Sequence, residues 1–455
     1  MVNPLEIDAG TFSNRENAYL YVPEGCVDIY SKANVWKEFL SIKQFTDPEM
    51  FSGGNGIESD PYIINTVGDM KVLAKNVNGG TSYEGVFFKV AKKEIDFSGV
   101  SYTAIGKATY DSNANEVPIA FSGNLDGNGV TIINLTTNKA LFGYIGKKGL
   151  VANITIDESC KINGYESNVA GIAGSNKGTI DNCVNKAPVS CTKYHVAGIC
   201  GDNMGTISNC KNYGAITCES ENGMTGGIAG DLDGGKILNC ENYGNVVSDG
   251  FWIGGIVGLV TGQPCSIKNC LNQGDVTGPY DVGGIFGHIT YSSTVISDNM
   301  VSSCTINGTS SRSDSFGSSV IGPSISSNTC SNNFYTPDVV LVVGSQTYDG
   351  TTPRGVWIYD TSTQSYGPAD IIDNCAAMIQ QKGDVNGDRD IDIADAVCIV
   401  NYVVGKPNTT FIEAAADANG DGDIDIADAV HIVNLVVGKI TALAPRFEWN
   451  LPEPE

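Results

Sequence analysis

The chain has 455 residues, enough for two or three domains, and a formal net charge of −24 at pH 7. This charge argues against a nucleic-acid partner, and no apolar run reaches the ~20 residues that a membrane-spanning helix needs. Gly is abundant at 55 residues and helical patterning is scarce before residue 383, so the sequence predicts a mainly β chain with many turns.

The N-terminal segment, residues 1–48, contains the run AYLYVPEGCVDIYSKANVWKEFLSI at 18–42. This run resembles the closing repeat of bacterial surface leucine-rich-repeat proteins, which implies that the segment is the remnant of a longer parent. The start of the chain lacks the basic residues and the apolar stretch of a signal peptide. The chain is therefore either cytosolic or a mature fragment whose leader is missing. The C-terminal residues described below favour a fragment from an extracellular or cell-surface protein.

Residues 49–310 are predicted to form a β-solenoid, because the tetrapeptide Gly-Ile-x-Gly recurs at spacings of 27, 29, 28 and 29 residues. Each of the first four copies is followed by Asn-Cys, a further Asn and a short β-branched run, so each repeat predicts three short strands that make one coil. Stacked coils lie about 4.8 Å apart, which places equivalent residues in ladders. The tetrapeptides begin at Gly171, Gly198, Gly227, Gly255 and Gly284, and one predicted ladder contains Asn185, Asn212, Asn242 and Asn272.

The repeat also predicts where most of the 14 cysteines lie in the solenoid. Cys183, Cys210, Cys240 and Cys270 share one column, and Cys200 takes a position that other coils give to Ala, Val or Phe. Small buried apolar residues interchange in this way, so we expect packed free thiols rather than reactive or disulfide-bonded ones. The lack of a CxxC pair and the count of only three His argue against a zinc site.

The solenoid segment resembles the GLUG-motif proteins of bacterial cell surfaces, through the pattern GIAGxxxGTIxNC and two earlier coils at 121–135 and 141–156. The resemblance implies a right-handed parallel β-helix with coils of about 27–30 residues. An amphipathic helix near 67–77 is expected to cover its N-terminal end, with Met70, Leu73, Ala74 and Val77 on one face. Residues 311–382 show no repeat and are predicted to be a C-terminal cap or linking region.

Carboxylates on adjacent coils are the candidates for a catalytic site. Asp202, Asp231 and Asp233 follow the Gly-Ile-x-Gly strand, and the first two share a column about one coil apart. Parallel β-helices include polysaccharide lyases and glycosidases, and glycosidases use two carboxyl groups at a defined separation. The alternative is that all three are solvated turn acids, because other coils place Ser, Leu or His in the same column.

A second candidate surface consists of aromatic residues at a coil edge. Tyr194, Phe251 and Tyr280 stand four residues before the tetrapeptide, and Trp252 stands three before it. Exposed aromatic rings are a common route to glycan recognition, so these residues are predicted to contact a sugar chain. The alternative is that they only cover the coil edge or pack against residues 311–380.

Residues 383–440 are predicted to bind calcium. The segment at 384–406 recurs at 417–439 with 19 of 23 positions identical. Each copy places acidic or amide oxygens at positions 1, 3, 5, 9 and 12 and a backbone carbonyl at position 7, the spacing of an EF-hand-like loop. The predicted ligands of two Ca²⁺ ions are Asp384, Asn386, Asp388, Asp390, Asp392 and Asp395, then Asp417, Asn419, Asp421, Asp423, Asp425 and Asp428.

The two loops, each followed by one helix, resemble a type I dockerin, the module that binds a cohesin domain on a partner protein. In that family positions 10 and 11 help to choose the cohesin, and here they are Ile393–Ala394 and Ile426–Ala427. Because the two pairs are identical, the resemblance implies two equivalent binding orientations. The alternatives are that these Ile residues form helix-packing core and that calcium only folds the module.

We make further predictions for three other residues of the module and for the tail that follows it. Arg389 stands at position 6 of the first loop, where the loop pattern has Gly, and is expected to weaken that site. Ile391 and Ile424, at position 8, are expected to pair the two loops in a short sheet. The tail at 441–455 is predicted either to pack on the module or to be loose.

Together these patterns predict an extracellular, non-catalytic adhesin, or glycan- or protein-binding solenoid, tethered by a calcium-dependent dockerin to a cohesin-bearing partner. A polysaccharide lyase or glycoside hydrolase built on the β-helix is the first alternative, and it requires carboxylates that converge from adjacent coils. A structural spacer is the second alternative, and it requires neither such carboxylates nor an exposed aromatic face.

Overall fold

A computed structural model gives the fold of most of the chain. The residues that it describes are 4–22, 26–44, 51–110, 116–262, 264–290, 294–309, 317–321, 330–331, 333–335, 339–343, 346–348, 357–360, 365–368, 378–379, 383–386, 391–406, 411, 413–419 and 423–439. Asp388, Asp390, Arg389 and Asp421 of the predicted loops and the tail at 441–455 lie outside them.

The solenoid is built from four sheets in which equivalent strands of successive coils pair in parallel. The first wall contains the Asn-Cys motif, and its strands are Tyr62–Ile64, Phe87–Val90, Glu94–Asp96, Asn124–Ile133, Leu150–Ile156, Thr179–Asp181, Val184–Asn185, Thr206–Ser208, Lys211–Asn212, Lys236–Leu238, Glu241–Asn242, Cys265–Lys268, Leu271–Asn272, Thr294–Ser297, Met300–Val301, Cys330–Ser331, Phe334–Tyr335 and Met378–Ile379. The second wall contains Thr136–Thr137, Lys161–Gly164, Val189–Cys191, Ile216–Cys218, Val246–Ser248, Val276–Gly278, Thr305–Gly308, Val340–Val343 and Gln346–Tyr348.

The remaining two walls bracket the Gly-Ile-x-Gly tetrapeptide. The third wall contains Val169–Ala170, Val196–Ala197, Met224–Gly226, Trp252–Gly254 and Asp281–Gly283. The fourth wall contains Phe142–Ile145, Ala173–Asn176, Cys200–Asn203, Ala229–Leu232, Val257–Val260, Phe286–Ile289, Gly317–Ile321, Trp357–Asp360 and Ser365–Pro368. The sequence-based prediction of a parallel β-solenoid is therefore confirmed.

Each central coil has five short strands rather than the predicted three. Both sequence motifs are split because their middle residues leave the extended conformation. The Asn that precedes Cys is left-handed, with φ of 47° at Asn182 and 54° at Asn209, and this kink separates two strands of the first wall. The Gly-Ile pair of the tetrapeptide forms a bend between the third and fourth walls. Asn and Gly are the residues that tolerate such breaks at least cost.

The two motifs complement each other across the interior of the coil. Asn185, Asn212, Asn242 and Asn272 are fully buried, and each Nδ2 donates to the Oδ1 of the next coil at 2.8 Å until Asn272 ends the run. A Cβ on Gly198, the first residue of its tetrapeptide, would lie 2.3 Å from Asn212 Cγ. Gly is required there because the Asn ladder occupies the space that a side chain would need.

The predicted cysteine columns are confirmed. Cys200 lies in register with Ala173 and Ala229, and Cys183, Cys210, Cys240 and Cys270 are fully buried in the apolar core. Every cysteine whose side chain the structure describes is a free thiol. Burial raises the pKa of the Cys200 and Cys210 thiols well above the usual value, which keeps them protonated and poorly nucleophilic.

The N-terminal end of the solenoid is covered by the expected helix, Val67–Asn78. Thr66 and Asp69 form a reciprocal capping box at its start, and the predicted apolar face of Met70, Leu73, Ala74 and Val77 is buried in the same core as the coils. The described residues between 4 and 44 contain helical turns Arg15–Asn17, Val27–Tyr30 and Trp36–Glu38 and a separate two-stranded parallel sheet of Tyr19–Val22 and Ser41–Gln44. A parallel strand pair is compatible with the leucine-rich-repeat resemblance, which stays a prediction.

Strands of the region expected to be a cap continue the solenoid sheets beyond residue 310. Gly317–Ile321 pairs in parallel with Phe286–Ile289, and Val340–Val343 pairs in parallel with Thr305–Gly308. Two antiparallel strands, Gln346–Tyr348 and Ser365–Pro368, then stand at the edges of the second and fourth walls. The described strands of this region thus extend the sheets without the Gly-Ile-x-Gly signature, which is why the sequence shows no repeat there. The handedness of the solenoid stays a prediction.

The C-terminal module is helical. Its helices are Ile393–Val403, Glu413–Ala416 and Ile426–Val436, and the two long ones pack through Ala396, Ile399, Ala429 and Ile432. Ile391 and Ile424 are not in a strand, so the expected short sheet is not found; both side chains are partly buried against the apolar cluster instead. No helix in the described part of the chain is long and apolar enough to cross a membrane.

Candidate functional site

One column of the fourth wall brings the predicted carboxylates together. Asp202 and Asp231 are direct partners on adjacent parallel strands, flanked in the same column by Ser175 on one side and Leu259 on the other. Neighbouring strands lie about 4.8 Å apart, and paired residues project from the same face of a sheet. The two carboxyl groups are therefore neighbours, as the repeat predicts. Asp233 is exposed in the turn that follows the strand of Asp231.

The carboxyl group of Asp231 is buried but hydrogen-bonded. Its side chain is 10% exposed, and Thr261 Oγ1 donates to its two oxygens at 3.0 and 3.1 Å. His195 Nε2 lies 4.0 Å from Asp231 Oδ2, while His195 Nδ1 lies 2.9 Å from Asn168 Oδ1 and donates to it. Burial lowers the pKa of His195 to about 4, so the imidazole is neutral at pH 7 and makes no ion pair with Asp231.

Asp202 has fewer partners than Asp231. Its Oδ1 is buried and accepts no hydrogen bond from the residues that the structure describes. Burial raises the pKa of Asp202 to about 7; the negative charges of Asp233 and Glu116 act in the same direction, and the positive charge of Lys177 opposes them. Burial and the charge of Asp202 likewise raise the pKa of Asp231 to about 7, against the Thr261 hydrogen bond. Both carboxyl groups therefore titrate near neutral pH.

Three residues that the sequence analysis did not single out complete this cluster. Glu116 Oε2 accepts from Lys177 Nζ at 2.7 Å and from the hydroxyl of Tyr144 at 2.9 Å. Tyr144 and Lys177 belong to the first two coils of the fourth wall, but Glu116 comes from a segment that precedes the regular coils. Glu116 has no counterpart in the repeat, so no column pattern points to it.

The cluster is not arranged as a metal site. Within the described parts of the chain, no three His, Cys, Asp or Glu side chains converge on a point that a metal ion would occupy. The arrangement instead offers two carboxyl groups that titrate near neutral pH, with a neutral imidazole and a Lys–Glu ion pair close by. This combination can give and take protons near neutral pH.

The predicted aromatic residues line the edge beside this column. Tyr194, Phe251 and Tyr280 are each about 40% exposed, and the rings of Phe251 and Tyr280 lie 4.7 Å apart at 30°. Trp252 stacks on His288, a member of the Asp202 column, at 5.3 Å between centroids. The aromatic edge and the carboxylate column are thus adjacent on the molecule.

Each long helix of the C-terminal module is capped by the end of its predicted loop. Asp392 Oδ1 accepts from Ala394 N at 2.6 Å, and Asp395 Oδ2 accepts from Asp392 N at 2.9 Å. Asp395 Oδ1 also accepts from Val385 N at 2.7 Å, which joins the two ends of the loop. The second copy repeats the arrangement with Asp425 and Asp428.

This duplicated loop–helix geometry agrees with a family comparison. The profile of the "Dockerin type I domain" matches residues 382–436. These residues are a type I dockerin domain. The match covers the two loops and both long helices of the module.

The sequence relatives cover only part of the chain. Halomucin of Haloquadratum walsbyi is 29% identical over 188 residues, which covers 38% of this chain and 2% of halomucin. A candidate Gly-rich membrane protein of Evansella cellulosilytica is 29% identical over 143 residues, which covers 30% of this chain and 16% of that protein. Among solved structures, a candidate immunoglobulin A1 protease from Bacteroides ovatus aligns with a TM-score of 0.42 and 19% identity, over 66% of this chain and 81% of that one. The chain therefore spans a small fraction of either sequence relative.

The dockerin loops have the chemistry that calcium requires. Type I dockerins generally bind calcium, and the loop side chains offer only carboxylate and amide oxygens, the ligands that Ca²⁺ prefers. Asp384, Asp395 and Asp428 are buried carboxylates at the ends of the loops, with at most 1% of each exposed. Buried carboxylates are costly without a compensating cation, so the described loop residues fit the ion. The number of ions stays a prediction.

Each dockerin helix carries an exposed apolar stripe. On the first helix Ile393, Val397, Val400 and Val404 recur at helical spacing and are 38–56% exposed. Equivalent positions of the second copy place Ile426 at 45%, Val430 at 52% and Val437 at 56% exposed. Ala394 and Ala427 are also at the surface. The structure thus places the position-10 Ile residues on the outside and not in the helix-packing core.

Proposed function

We propose that this chain is an extracellular binding protein that a cohesin-bearing partner holds through the dockerin. The observation that carries the proposal is the dockerin itself, with two matching apolar stripes that its own fold leaves uncovered. Dockerin domains bind cohesins, and dockerin-containing proteins are typically extracellular or on the cell surface. In this arrangement the solenoid presents a ligand-binding surface, and the dockerin sets where that surface is held.

The two stripes support a cohesin interface that works in either of two orientations. Contiguous apolar side chains at the surface of a small module mark a protein-binding site. The stripes are related by the 33-residue repeat and share Ile, Ala and Val at their equivalent positions. A cohesin that recognises one stripe therefore meets nearly the same surface when the dockerin is turned around.

Charge substitutions in the stripes test the two orientations. We expect Val397→Asp or Val430→Asp alone to change the affinity for a type I cohesin by only a few-fold, because the other stripe stays intact. The double variant should lose about 100-fold or more of the affinity for the cohesin, since a buried charge then faces the partner in both orientations. Isothermal titration calorimetry on the full chain with calcium measures this. A single variant as weak as the double variant would contradict the two-orientation interface.

The solenoid edge of Tyr194, Phe251, Trp252 and Tyr280 is proposed as the ligand surface, with a glycan as the ligand. Three of these rings are exposed at one edge, and sugars pack their C–H faces on such rings. Tyr213 and Tyr243 on another edge stack on each other at 4.8 Å and 7°, so each ring covers a face of the other. We assign that pair to edge covering rather than to sugar stacking.

A pair of Ala substitutions tests the glycan edge. The Phe251→Ala, Tyr280→Ala variant should lose about 10-fold or more of the affinity for whichever insoluble polysaccharide of a panel retains the native chain, because ring contacts are worth about 1 kcal/mol or more each. Co-sedimentation measures retention, and Tyr213→Ala is the control because Tyr213 is also exposed, at 48%, but lies on the other edge, stacked on Tyr243. Equal retention of both variants would contradict the assignment.

A further inference from the structure

We infer that the Asp202–Asp231 pair is a glycoside-hydrolysing centre, in which Asp202 is the general acid and Asp231 the nucleophile. The inference rests on the proposed glycan-binding solenoid and adds a reaction to it. Its basis is a cluster of unlike groups, namely the two carboxyls, the Lys177–Glu116 pair and the neutral His195, beside an aromatic edge.

The separation of the two carboxyl groups suits one reaction class. Asp202 and Asp231 are register partners on adjacent parallel strands, whose backbones lie about 4.8 Å apart, and their side chains project from the same face of the sheet. Retaining glycosidases hold their two carboxyl groups about 5–5.5 Å apart, whereas inverting enzymes need about 6.5–9.5 Å to admit a water molecule. The pair therefore favours a double displacement with retention of the anomeric configuration.

The hydrogen bonds around the pair assign the two roles. Asp231 accepts from Thr261 Oγ1 on both oxygens, which favours its ionised, nucleophilic form. Asp202 Oδ1 has no donor among the described residues, and the charges of Asp233 and Glu116 disfavour its ionisation. Asp202 is thus the group that keeps a proton for the leaving oxygen.

The cluster opens towards solvent on the side of the ion pair. Side-chain exposure rises from 10% at Asp231 to 21% at His195, 27% at Glu116 and 36% at Lys177. Tyr194 of the aromatic edge lies beside His195, with ring centroids 5.9 Å apart, and His195 Nε2 lies 4.0 Å from Asp231 Oδ2. A polysaccharide that packs on the edge rings therefore passes the carboxyl pair.

The reaction balances with water as the only co-reactant. Asp231 attacks the anomeric carbon and forms an ester bond while the glycosidic C–O bond breaks, and Asp202 gives its proton to the departing alcohol. Asp202, now ionised, takes a proton from a water molecule that attacks the same carbon, and Asp231 leaves. Both groups return to their starting states. Because four carboxylates face one Lys, we assign a neutral polysaccharide as the substrate rather than a polyuronate.

The test incubates the full chain, with calcium, with a panel of neutral polysaccharides (β-glucan, xylan, mannan and starch) and measures new reducing ends. We expect activity on one member of the panel, with the first product in the retained configuration by proton NMR. Asp202→Asn and Asp231→Asn should each lose about 100-fold or more of the rate. Asp249→Asn, an exposed acid on a neighbouring coil, should keep the native rate. The native rate should be highest near pH 7 and fall on both sides, because Asp202 loses its proton above about 7 and Asp231 gains one below about 7.

The outcomes separate this inference from the proposed function. Far-UV circular dichroism and co-sedimentation show whether each Asn variant is folded and still bound to the polysaccharide. Binding without new reducing ends on any member of the panel would overturn the hydrolytic centre and leave the binding role intact. Unsaturated ends, an inverted product, or equal loss in Asp249→Asn would also overturn it. If the native chain binds no polysaccharide of the panel, the proposed glycan-binding function is contradicted, and the hydrolytic centre with it.

Discussion

Removal of calcium should unfold the dockerin and leave the solenoid folded. The predicted ligands lie only in residues 383–440, and three of them, Asp384, Asp395 and Asp428, are almost completely buried. Without the cation these carboxylates repel one another in a low-dielectric site, and the loops that cap both long helices lose their closure. Because the core of the dockerin is small, it is not expected to hold without its ions.

Far-UV circular dichroism measures this result directly. The dockerin helices Ile393–Val403 and Ile426–Val436 contain 11 residues each, while the solenoid helix Val67–Asn78 contains 12. A chelator should therefore remove more than half of the helical signal and leave the β signal unchanged. Arg389→Gly is the matched variant, because Gly at position 6 restores the loop pattern and should raise the chelator concentration needed. An unchanged helical signal in chelator would mean that the loops are not calcium sites.

Replacement of Asn212 with Ala should destabilise the solenoid more than replacement of Asn185, which stands at the end of the Asn ladder. Asn212 accepts from Asn185 Nδ2 and donates to Asn242 Oδ1, both at 2.8 Å, and to Gly214 O at 2.9 Å. Its loss leaves two buried acceptors unpaired and removes an acceptor from Asn185. Each buried polar atom that is left without a hydrogen bond costs about 1–3 kcal/mol, so the free energy of unfolding should fall by about 3 kcal/mol or more.

Asn185→Ala is the matched control at the end of the same ladder. Asn185 Oδ1 already has no partner among the described residues, because the preceding coil places Ile156 in this column. The Asn185→Ala substitution therefore also removes a buried oxygen that lacks a hydrogen bond and lowers stability. It should destabilise the solenoid by less than Asn212→Ala does. Urea unfolding of the two variants side by side gives the comparison. An equal decrease in the free energy of unfolding in both variants would mean that the Asn side chains stabilise the solenoid by filling space and not by a continuous chain of hydrogen bonds.

The columns of the solenoid were predictable from the sequence because the period is nearly constant. Once the tetrapeptides are aligned, Cys200 falls beside Ala173 and Asp202 beside Asp231, as the strand register shows. The number of strands was not predictable in this way, because the left-handed Asn182 and its equivalents divide one apparent strand into two. Periodicity gives the column of a residue but not its φ angle.

The candidate site was predictable only where it follows the repeat. Asp202 and Asp231 stand at equivalent positions, but Glu116 reaches the same cluster from a segment outside the regular coils. The raised pKa values of the two carboxyl groups depend on burial, which a column pattern does not report. Likewise, the strands Gly317–Ile321 and Val340–Val343 continue the sheets although no tetrapeptide accompanies them. Backbone pairing in a stack requires strand length and position, not a specific motif.

The central claim is that this chain links a cohesin to an extracellular glycan. The direct measurement immobilises a type I cohesin, adds labelled polysaccharides of the panel, and compares retention with and without the full chain, in calcium and in chelator. We predict that one polysaccharide is retained only when both the chain and calcium are present. If the cohesin retains the chain but no polysaccharide, the solenoid is a spacer. If the cohesin does not retain the chain in calcium, the tethering role itself is contradicted.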